Sequence, residues 1–409
     1  MQNKQFSSRR AVPTQMFDVH SVATAIPVAQ VAQVISSNET TSNPNNHRRL
    51  NNHRSPSSTD IDNQNRQHLI KYGFPVGLRD QIVKTLQQFP LRIWVLDNSG
   101  SMTQNDGNLF VPSKKRMITC TRWDELQETM KFHLSVAADL QAPCILRLLN
   151  PGHDGSQVMT CSDANPELFG AQLHSARATI MQTYPGSGTP LSSHLHQVHD
   201  RIQSLAPELR ARGQRVCVVL ATDGLPTDNP HHVHGGPKAA FRKALNSLRG
   251  LPVWVVIRLL TDDEEVVDYW NNLDQQVEVP LDVLDDWEGE AREVGAVNPW
   301  INYTQQLHHA REFGLAHPIF DLMDEKAFGA SEVTQFIGLL FGQEAMLELP
   351  HPGVDLDGFL AGVERLLEHT KPSFNIVSKK FKPLVSVTKL KKHLKKHLKS
   401  GQKGECVIL

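Results

Sequence analysis

Five oxygen-bearing side chains follow three apolar runs of the chain, and together they could bind a divalent cation. Asp97, Ser99 and Ser101 alternate in DNSGS directly after LRIWVL, Thr189 lies in the glycine-rich YPGSGTPL, and Asp223 follows VCVVLAT. Carboxylate and hydroxyl oxygens are the ligands that Mg²⁺ or Mn²⁺ prefers. Simpler roles are open to each fragment: a turn for DNSGS, a helix N-cap for Thr189 and a turn residue for Asp223.

The elements that would position these side chains have the pattern of an α/β protein. Short apolar runs bounded by turn residues predict buried parallel strands at Leu91–Leu96, Cys144–Leu149, Val216–Ala221 and Val253–Leu260, with further strands at Val158–Cys161 and Val277–Leu284. Helical patterns alternate with them at Trp123–Leu140, Pro166–Met181, Leu191–Leu209, Lys238–Leu248 and Glu264–Leu273. This alternation predicts a doubly wound, mostly parallel sheet flanked by helices. Because such sheets bind ligands at the carboxyl ends of their strands, we expect the five side chains to meet there.

The fragments RIWVLDNSGSM, GSGTPL and VVLATDGLPTD resemble the von Willebrand factor A domain and its metal-ion-dependent adhesion site. That family has Asp-x-Ser-x-Ser after the first strand, a Thr in a later loop and an Asp after the fourth strand. The resemblance covers roughly residues 70–341 and implies a Rossmann-like sheet, with Ser99, Ser101 and Thr189 on the metal directly. It also implies that Asp97 and Asp223 act through water, and that a partner protein supplies an Asp or Glu carboxylate as the last ligand.

An electrophilic metal could instead activate water for hydrolysis. Nothing near the five positions indicates an obligatory general base, and the resembled family is mostly non-catalytic. We therefore expect a binding protein and not an enzyme.

Composition limits the class of protein. The chain has 409 residues, 39% hydrophobic and 21% charged, and no window approaches eighteen consecutive apolar residues. The first residues, MQNKQFSSRR, lack the apolar segment of a secretory signal, and the five cysteines include no C-x-x-C pair. We expect an intracellular protein without a disulfide framework or a zinc ribbon.

Charge and composition divide the chain into four parts. Residues 1–66 are rich in Ser, Asn and Gln and predict a disordered tail, and 67–345 predict the von Willebrand factor A-like domain with a helical extension. Residues 346–378 predict a helical linker, and 379–409 a polybasic tail with ten Lys and one Glu. Residues 1–66 and 379–409 are basic, so the stretch between them carries the acidic excess of the chain.

The last four residues, CVIL, resemble a geranylgeranylation signal with Cys406 as the lipidated residue. The sequence before it predicts a helix whose Leu390, Leu394 and Leu398 insert into an anionic leaflet. Its lysines would hold the membrane surface: Lys391, Lys392, Lys395, Lys396 and Lys399. A basic tail can also bind RNA, but the lack of aromatic residues between Lys382 and Leu409 disfavours nucleic acid.

The sequence thus predicts a metal-dependent adaptor attached to the cytoplasmic face of a membrane. A metal-assisted hydrolase and an RNA-binding scaffold are the alternatives.

Overall fold

The computed structural model describes residues 58–162, 164–274 and 276–401. Its strands are β1 (Leu91–Leu96), β2 (Gly107–Val111), β3 (Arg116–Cys120), β4 (Cys144–Leu148), β5 (Val158–Cys161), β6 (Val216–Thr222), β7 (Val253–Leu259), β8 (Leu281–Leu284), β9 (Ser373–Asn375) and β10 (Lys380–Lys382). Its helices before β8 are α1 (Ser58–Ile70), α2 (Val76–Gln88), α3 (Arg122–Leu140), α4 (Pro166–Gln182), α5 (Leu191–Ala211), α6 (Gly236–Asn246) and α7 (Glu264–Asp274). After β8 follow α8 (Trp287–Val297), α9 (Gln305–Glu312), α10 (Pro318–Leu322), α11 (Ala330–Phe341), α12 (Gln343–Leu347), α13 (Leu356–Glu368) and α14 (Val387–Gly401).

Six strands form the central sheet in the order β5-β4-β1-β6-β7-β8. β4, β1, β6, β7 and β8 pair in parallel, and β5 pairs antiparallel with β4 at the edge. The predicted mostly parallel sheet flanked by helices is confirmed. β1 lies between β4 and β6, so the residues that follow β1 have a neighbouring strand end on either side.

Side chains of the strands alternate between two cores, because successive residues of a strand point to opposite faces. Ile93 and Val95 of β1 pack in a core with apolar residues of α5, α6 and α7. Trp94 and Leu96 belong to a larger core that also holds residues of α2, α3, α4 and the helices after β8. Burial on both faces explains why these strands read as continuous apolar runs.

A glycine permits close helix packing in the larger core. A Cβ atom on Gly77 of α2 would lie 2.4 Å from the backbone oxygen of Leu339 in α11. Any larger residue would push α11 away from α2, and α11 supplies Phe336 and Ile337, both fully buried, to the core.

The C-terminal helix differs from the sequence expectation. Leu390 and Leu394 of α14 are fully buried in the larger core, where α14 packs against α11 and α13. The prediction that these leucines insert into a membrane is therefore wrong, since the protein's own core already covers them. The side chain of Leu398 lies outside the described residues.

Other boundaries also shift. α1 begins at Ser58, within the segment predicted as a disordered tail, and its Leu69 is fully buried. The helical segment after β8 is interrupted between α8 and α9, where Pro299 cannot donate a helical hydrogen bond. The hairpins β2–β3 and β9–β10 were not predicted. Residues 1–57 and 402–409, including Cys406, lie outside the described residues.

Among the described residues, no helix has the length and apolar character needed to cross a membrane.

Replacing Leu390 or Leu394 by Ala should lower the free energy of unfolding by about 2–5 kcal/mol each, because each change leaves a cavity in the core. Lys392→Ala, on the exposed face of the same helix, is the matched control and should change it by less than about 0.5 kcal/mol. Chemical denaturation of the full chain measures both. Wild-type stability in the Leu390→Ala protein would contradict the packing of α14.

Candidate functional site

The turn after β1 is fixed by both neighbouring strands. The backbone N–H of Asp97 donates to the carbonyl of Ala221 in β6 at 2.9 Å. On the other side, the Asn98 side chain exchanges two hydrogen bonds with the backbone of Asn150, beyond the end of β4, at 3.0 and 2.8 Å. Asp97 and Asn98 are both buried. The turn is thus built into the carboxyl edge of the sheet.

The side chains of this edge form polar clusters joined by short hydrogen bonds. The Oγ atoms of Ser99 and Ser101 lie 3.1 Å apart, and the Ser101 hydroxyl donates to Asp223 Oδ1 at 2.8 Å. The hydroxyl of Thr222 donates to Asp97 Oδ2 at 2.6 Å, and the Ser99 N–H donates to Asp97 Oδ1 at 2.9 Å. Ser101 and Asp223 are 122 residues apart in the sequence, so the fold brings together two of the predicted fragments.

The Thr189 loop reaches the same edge. The N–H of Gly100, in the β1 turn, donates to the carbonyl of Ser187 at 3.0 Å. Thr189 is clamped by Thr227, whose hydroxyl accepts from the Thr189 N–H at 2.8 Å and whose own N–H donates to the Thr189 carbonyl at 3.0 Å. All five predicted ligands therefore come from one contiguous set of loops.

Thr189 is not the N-cap of the following helix. α5 begins at Leu191, and Asp228 caps it by accepting from the N–H groups of Ser192 and Ser193 at 3.0 and 2.8 Å. The Thr189 hydroxyl makes no hydrogen bond within the described part of the chain, which leaves its oxygen free to coordinate. Asp223 likewise accepts from Ser101 and from an arginine, so a purely local turn role does not describe it.

Sequence reasoning missed that arginine, Arg122. It is buried at the start of α3, where it donates to Asp223 Oδ2 at 2.9 Å and to both oxygens of Asp106 at 2.7 and 2.6 Å. Burial opposes the charged form of Arg122, but the hydrogen bonds to Asp106 and Asp223 outweigh it and raise its pKa. No local sequence signal connects Arg122 with Asp223, 101 residues away. The arginine leaves Asp223 Oδ1 facing Ser101.

The site carries an excess of negative charge. Burial is the main cause, and the charge of Asp223 the second, that raises the pKa of Asp97 to about 6. Hydrogen bonds from Thr222 and Ser99 act in the opposite direction. Two carboxylates that cannot separate favour either a proton or a cation between them. Arg122 contacts Asp223 and not Asp97, so it supplies only part of that compensation.

The donor set fits a hard divalent cation. Asp97, Ser99, Ser101, Thr189 and Asp223 offer only oxygen atoms, and Mg²⁺ takes near-octahedral oxygen ligation with some positions filled by water. The same set offers no sulfur or imidazole for zinc or copper. Within the described residues, the other side chains bonded to these five are Thr222, Thr227 and Arg122, none of which is a free general base.

A second polar cluster lies in the larger core and was not predicted. Glu312 of α9 accepts from His133 Nε2 at 2.9 Å and His309 Nδ1 at 2.7 Å, and Arg258 Nε donates to its other oxygen at 2.8 Å. Burial opposes ionisation, but the neighbouring imidazoles of His309 and His308 and the hydrogen bond from His133 hold the pKa of Glu312 well below its usual value. His133, His309 and Glu312 are close enough to share a metal ion. Because Arg258 already neutralises the carboxylate, we interpret the cluster as a buried hydrogen-bonded network that ties α3 and α9 to β7.

The predicted membrane-binding lysines lie on α14. Lys392, Lys395 and Lys396 are exposed, whereas Lys391 is half-buried and pairs with Asp357 at 2.8 Å. The side chain of Lys399 lies outside the described residues, as does Cys406.

No protein-family model and no curated protein matches the sequence. Among solved structures, the PilB minor pilin from Streptococcus sanguinis is similar, with a TM-score of 0.35 and 12% sequence identity over 59% of this chain and 63% of the pilin chain. A point mutant of that pilin gives a TM-score of 0.34 and 12% identity over 55% of this chain and 59% of the pilin chain. The match spans less than two thirds of each pilin chain and is too weak to carry an argument.

The raised pKa of Asp97 predicts a pH-dependent stability. A carboxyl whose pKa rises from 3.8 to about 6 on folding stabilises the fold below pH 4, and this stabilisation is lost as the pH rises through 6. In chelator, wild-type protein should therefore lose stability relative to Asp97→Asn between pH 4 and 7, by on the order of 2–3 kcal/mol.

Chemical denaturation at a series of pH values measures the difference. Asp106→Asn is the control of opposite sign, because the hydrogen bond from Arg122 lowers the pKa of Asp106. The wild type should gain stability relative to that variant as the pH rises. A pH-independent difference between wild type and Asp97→Asn would contradict the electrostatic description of the site.

Proposed function

We propose that the chain is a von Willebrand factor A domain protein that binds a partner protein through a metal-ion-dependent adhesion site. The observation that carries the proposal is the hydrogen-bonded set Ser99–Ser101–Asp223 beside the buried Asp97, at the carboxyl edge of a parallel sheet. The free hydroxyl of Thr189, held by a loop that contacts the same turn, supports it. The family pattern in the sequence supplies the functional class.

The cation, Mg²⁺ or Mn²⁺, would supply an electrophilic centre with a coordination position open to an external carboxylate. The chain's own residues prepare that centre. Arg122 holds one oxygen of Asp223, so the other oxygen keeps a defined direction toward Ser101. Thr222 and the Ser99 N–H fix both oxygens of Asp97 in the same way. A preordered donor set costs little further side-chain entropy when the cation binds.

Binding is favoured over hydrolysis by the groups around the site. The basic residue in contact with the cluster is Arg122, whose raised pKa prevents it from accepting a proton. Asp97 has both carboxylate oxygens engaged in hydrogen bonds. A hydrolytic step would require a free base next to the metal-bound water.

We further propose attachment to the cytoplasmic face of a membrane through prenylation of Cys406. The exposed lysines Lys392, Lys395 and Lys396 would add the second signal that a single lipid chain needs for stable anchoring. Because Leu390 and Leu394 are committed to the core, α14 would contribute charge and not insertion. The attraction should therefore be strongly screened by salt.

The adhesion-site proposal predicts selection of carboxylate-bearing peptides. A random peptide library is bound in Mg²⁺ and eluted with chelator, and the selected peptides should require one Asp or Glu for binding. Changing that Asp or Glu to Asn or Gln should weaken binding at least about tenfold, or 1.4 kcal/mol. Isothermal titration of Mg²⁺ and Mn²⁺ should show binding to the wild type and none to Ser99→Ala/Ser101→Ala.

Ser204→Ala is the control, since it removes an exposed hydroxyl that bonds only the carbonyl of Arg201. It should bind metal and peptide as the wild type does. Equal peptide capture in chelator, or metal binding by the double variant, would refute the proposal.

The lipid-anchor proposal predicts that Cys406→Ser moves the protein from membranes to the cytosol, because lysine charge alone gives weak, salt-sensitive binding. Fractionation and microscopy of a chain with an N-terminal fluorescent protein measure this. Cys120→Ser, at a partly exposed cysteine of β3, controls for loss of a thiol. A Cys406→Ser protein as fully membrane-bound as the wild type would refute the lipid anchor.

A further inference from the structure

A cleft of about 520 Å³ lies between α8, the β9–β10 hairpin and the start of α14. Its polar lining consists of Arg292, Asn302, Asn375, Ser378, Lys382, Ser386 and Lys389. No Asp or Glu is among the described residues that line it. The volume is in the range of small-molecule sites in proteins. We call it the Lys382 cleft.

Two of the three cationic side chains that line the Lys382 cleft have no salt-bridge partner in the described part of the chain. Arg292 pairs with Glu288, but neither Lys382 nor Lys389 forms a salt bridge within the described residues. Partial burial lowers the pKa of Lys382, and repulsion from the like charges of Lys389 and Lys380 lowers it further. An anion between them would remove this repulsion.

The start of α14 adds to the positive potential. Ser386 precedes the helix, its carbonyl accepts from the Leu390 N–H at 2.8 Å, and Ser386 and Lys389 both line the cleft. The first turn of a helix has N–H groups without helical partners and the positive end of the helix dipole. For a helix of fifteen residues this is a favourable environment for an anion.

Trp300 forms a buried wall of the cleft. Its side chain is fully buried and packs against Phe328, Phe336 and His393. The indole supports the cleft from inside the core and presents no donor at its surface.

The frame of the cleft is fixed by its own hydrogen bonds. The Asn375 side chain donates to Asn302 Oδ1 at 3.0 Å and accepts from the Ser378 N–H at 2.8 Å. The Ser386 N–H donates to the carbonyl of Trp300 at 2.8 Å. These bonds hold β9, β10 and the start of α14 together, so the cationic groups are presented by a rigid surface.

We propose that the Lys382 cleft binds phosphate monoester groups carried on an inositol ring, with Lys382 and Lys389 as the principal cationic ligands. A phosphate monoester carries about −1.5 to −2 charges at neutral pH and offers three acceptor oxygens. A ring with several such groups spans two lysines and a helix N-terminus at once. The proposal depends on neither the adhesion site nor lipidation of Cys406.

The ring can be free in solution or part of a lipid headgroup. Lys389, Lys392 and Lys396 follow one another at spacings of three and four residues, so they share one face of α14. Lys389 therefore belongs both to the cleft and to the exposed basic face proposed above to contact a membrane. A headgroup in the cleft would orient that face toward the bilayer.

Isothermal titration of the full chain with inositol 1,4,5-trisphosphate tests the cleft without a membrane. The wild type should bind it, and Lys382→Gln/Lys389→Gln should bind at least about tenfold more weakly, equivalent to 1.4 kcal/mol. Lys395→Gln/Lys396→Gln removes the same charge from the exposed part of the same helix and should stay within about twofold of the wild type. Inorganic phosphate should bind far more weakly than the trisphosphate.

Ser386→Glu provides a variant whose loss of binding cannot come from helix disruption, because an acid at a helix N-terminus stabilises the helix. It should abolish trisphosphate binding and leave the unfolding temperature at or above that of the wild type. No trisphosphate binding by the wild type, or equal loss in the two lysine pairs, would overturn the proposal. Equal affinity for inorganic phosphate would also overturn it, since any anion would then suffice.

Sedimentation with vesicles distinguishes the two sources of the ring. If phosphatidylinositol bisphosphate vesicles bind more protein than charge-matched phosphatidylserine vesicles, and Lys382→Gln/Lys389→Gln loses this excess, the ring belongs to a lipid headgroup. If both kinds of vesicle bind the protein equally and trisphosphate binding is intact, the ligand of the cleft is a soluble inositol phosphate.

Discussion

The repulsion between two buried carboxylates, Asp97 and Asp223, is the constraint on which the carboxyl edge of the sheet depends. Both follow neighbouring parallel strands, so the strand pairing of β1 with β6 forces them together. The sheet then surrounds them with compensating groups: hydroxyls from Ser101 and Thr222, an N–H from Ser99, and the guanidinium of Arg122. Burial, and after it the remaining charge of Asp223, raises the pKa of Asp97. The proposed divalent cation would supply the missing positive charge.

Arg122 stabilises the fold before any cation binds. Without a counter-ion, a fully buried Asp223 would cost several kcal/mol. Because Arg122 takes only Oδ2 and shares its charge with Asp106, it stabilises the carboxylate without covering the oxygen that faces the serines. One oxygen of the Asp223 carboxylate is thus neutralised within the fold, and the other remains available to a ligand.

The C-terminal segment has two roles that its sequence does not separate. Leu390 and Leu394 close the larger core, and lysines of the same helix remain outside. The helix thus stabilises the domain and presents a fixed basic surface. Because α14 also forms one wall of the Lys382 cleft, the position of that surface is coupled to the hairpin β9–β10 and to Trp300. The cleft and the proposed adhesion site share no residue, so their ligands need not compete.

The sheet strands and the five candidate oxygen donors could be located from the sequence alone. Buried parallel strands are apolar throughout and end in turn residues, so β1, β4, β6 and β7 could be located within a residue or two, and the donors follow them directly or in the loop next to them. Short hairpins such as β2–β3 bury little and leave a weak pattern.

Only the tertiary structure decided the rest, because it depends on contacts between distant segments. Arg122 and Asp223 are 101 residues apart, and the cap of α5 comes from Asp228 rather than from the adjacent Thr189. The leucine and lysine spacing of α14 is the same whether a helix packs on a membrane or on its own domain. α14 packs on its own domain because burying its leucines in the larger core stabilises the fold. No local sequence pattern records that contribution.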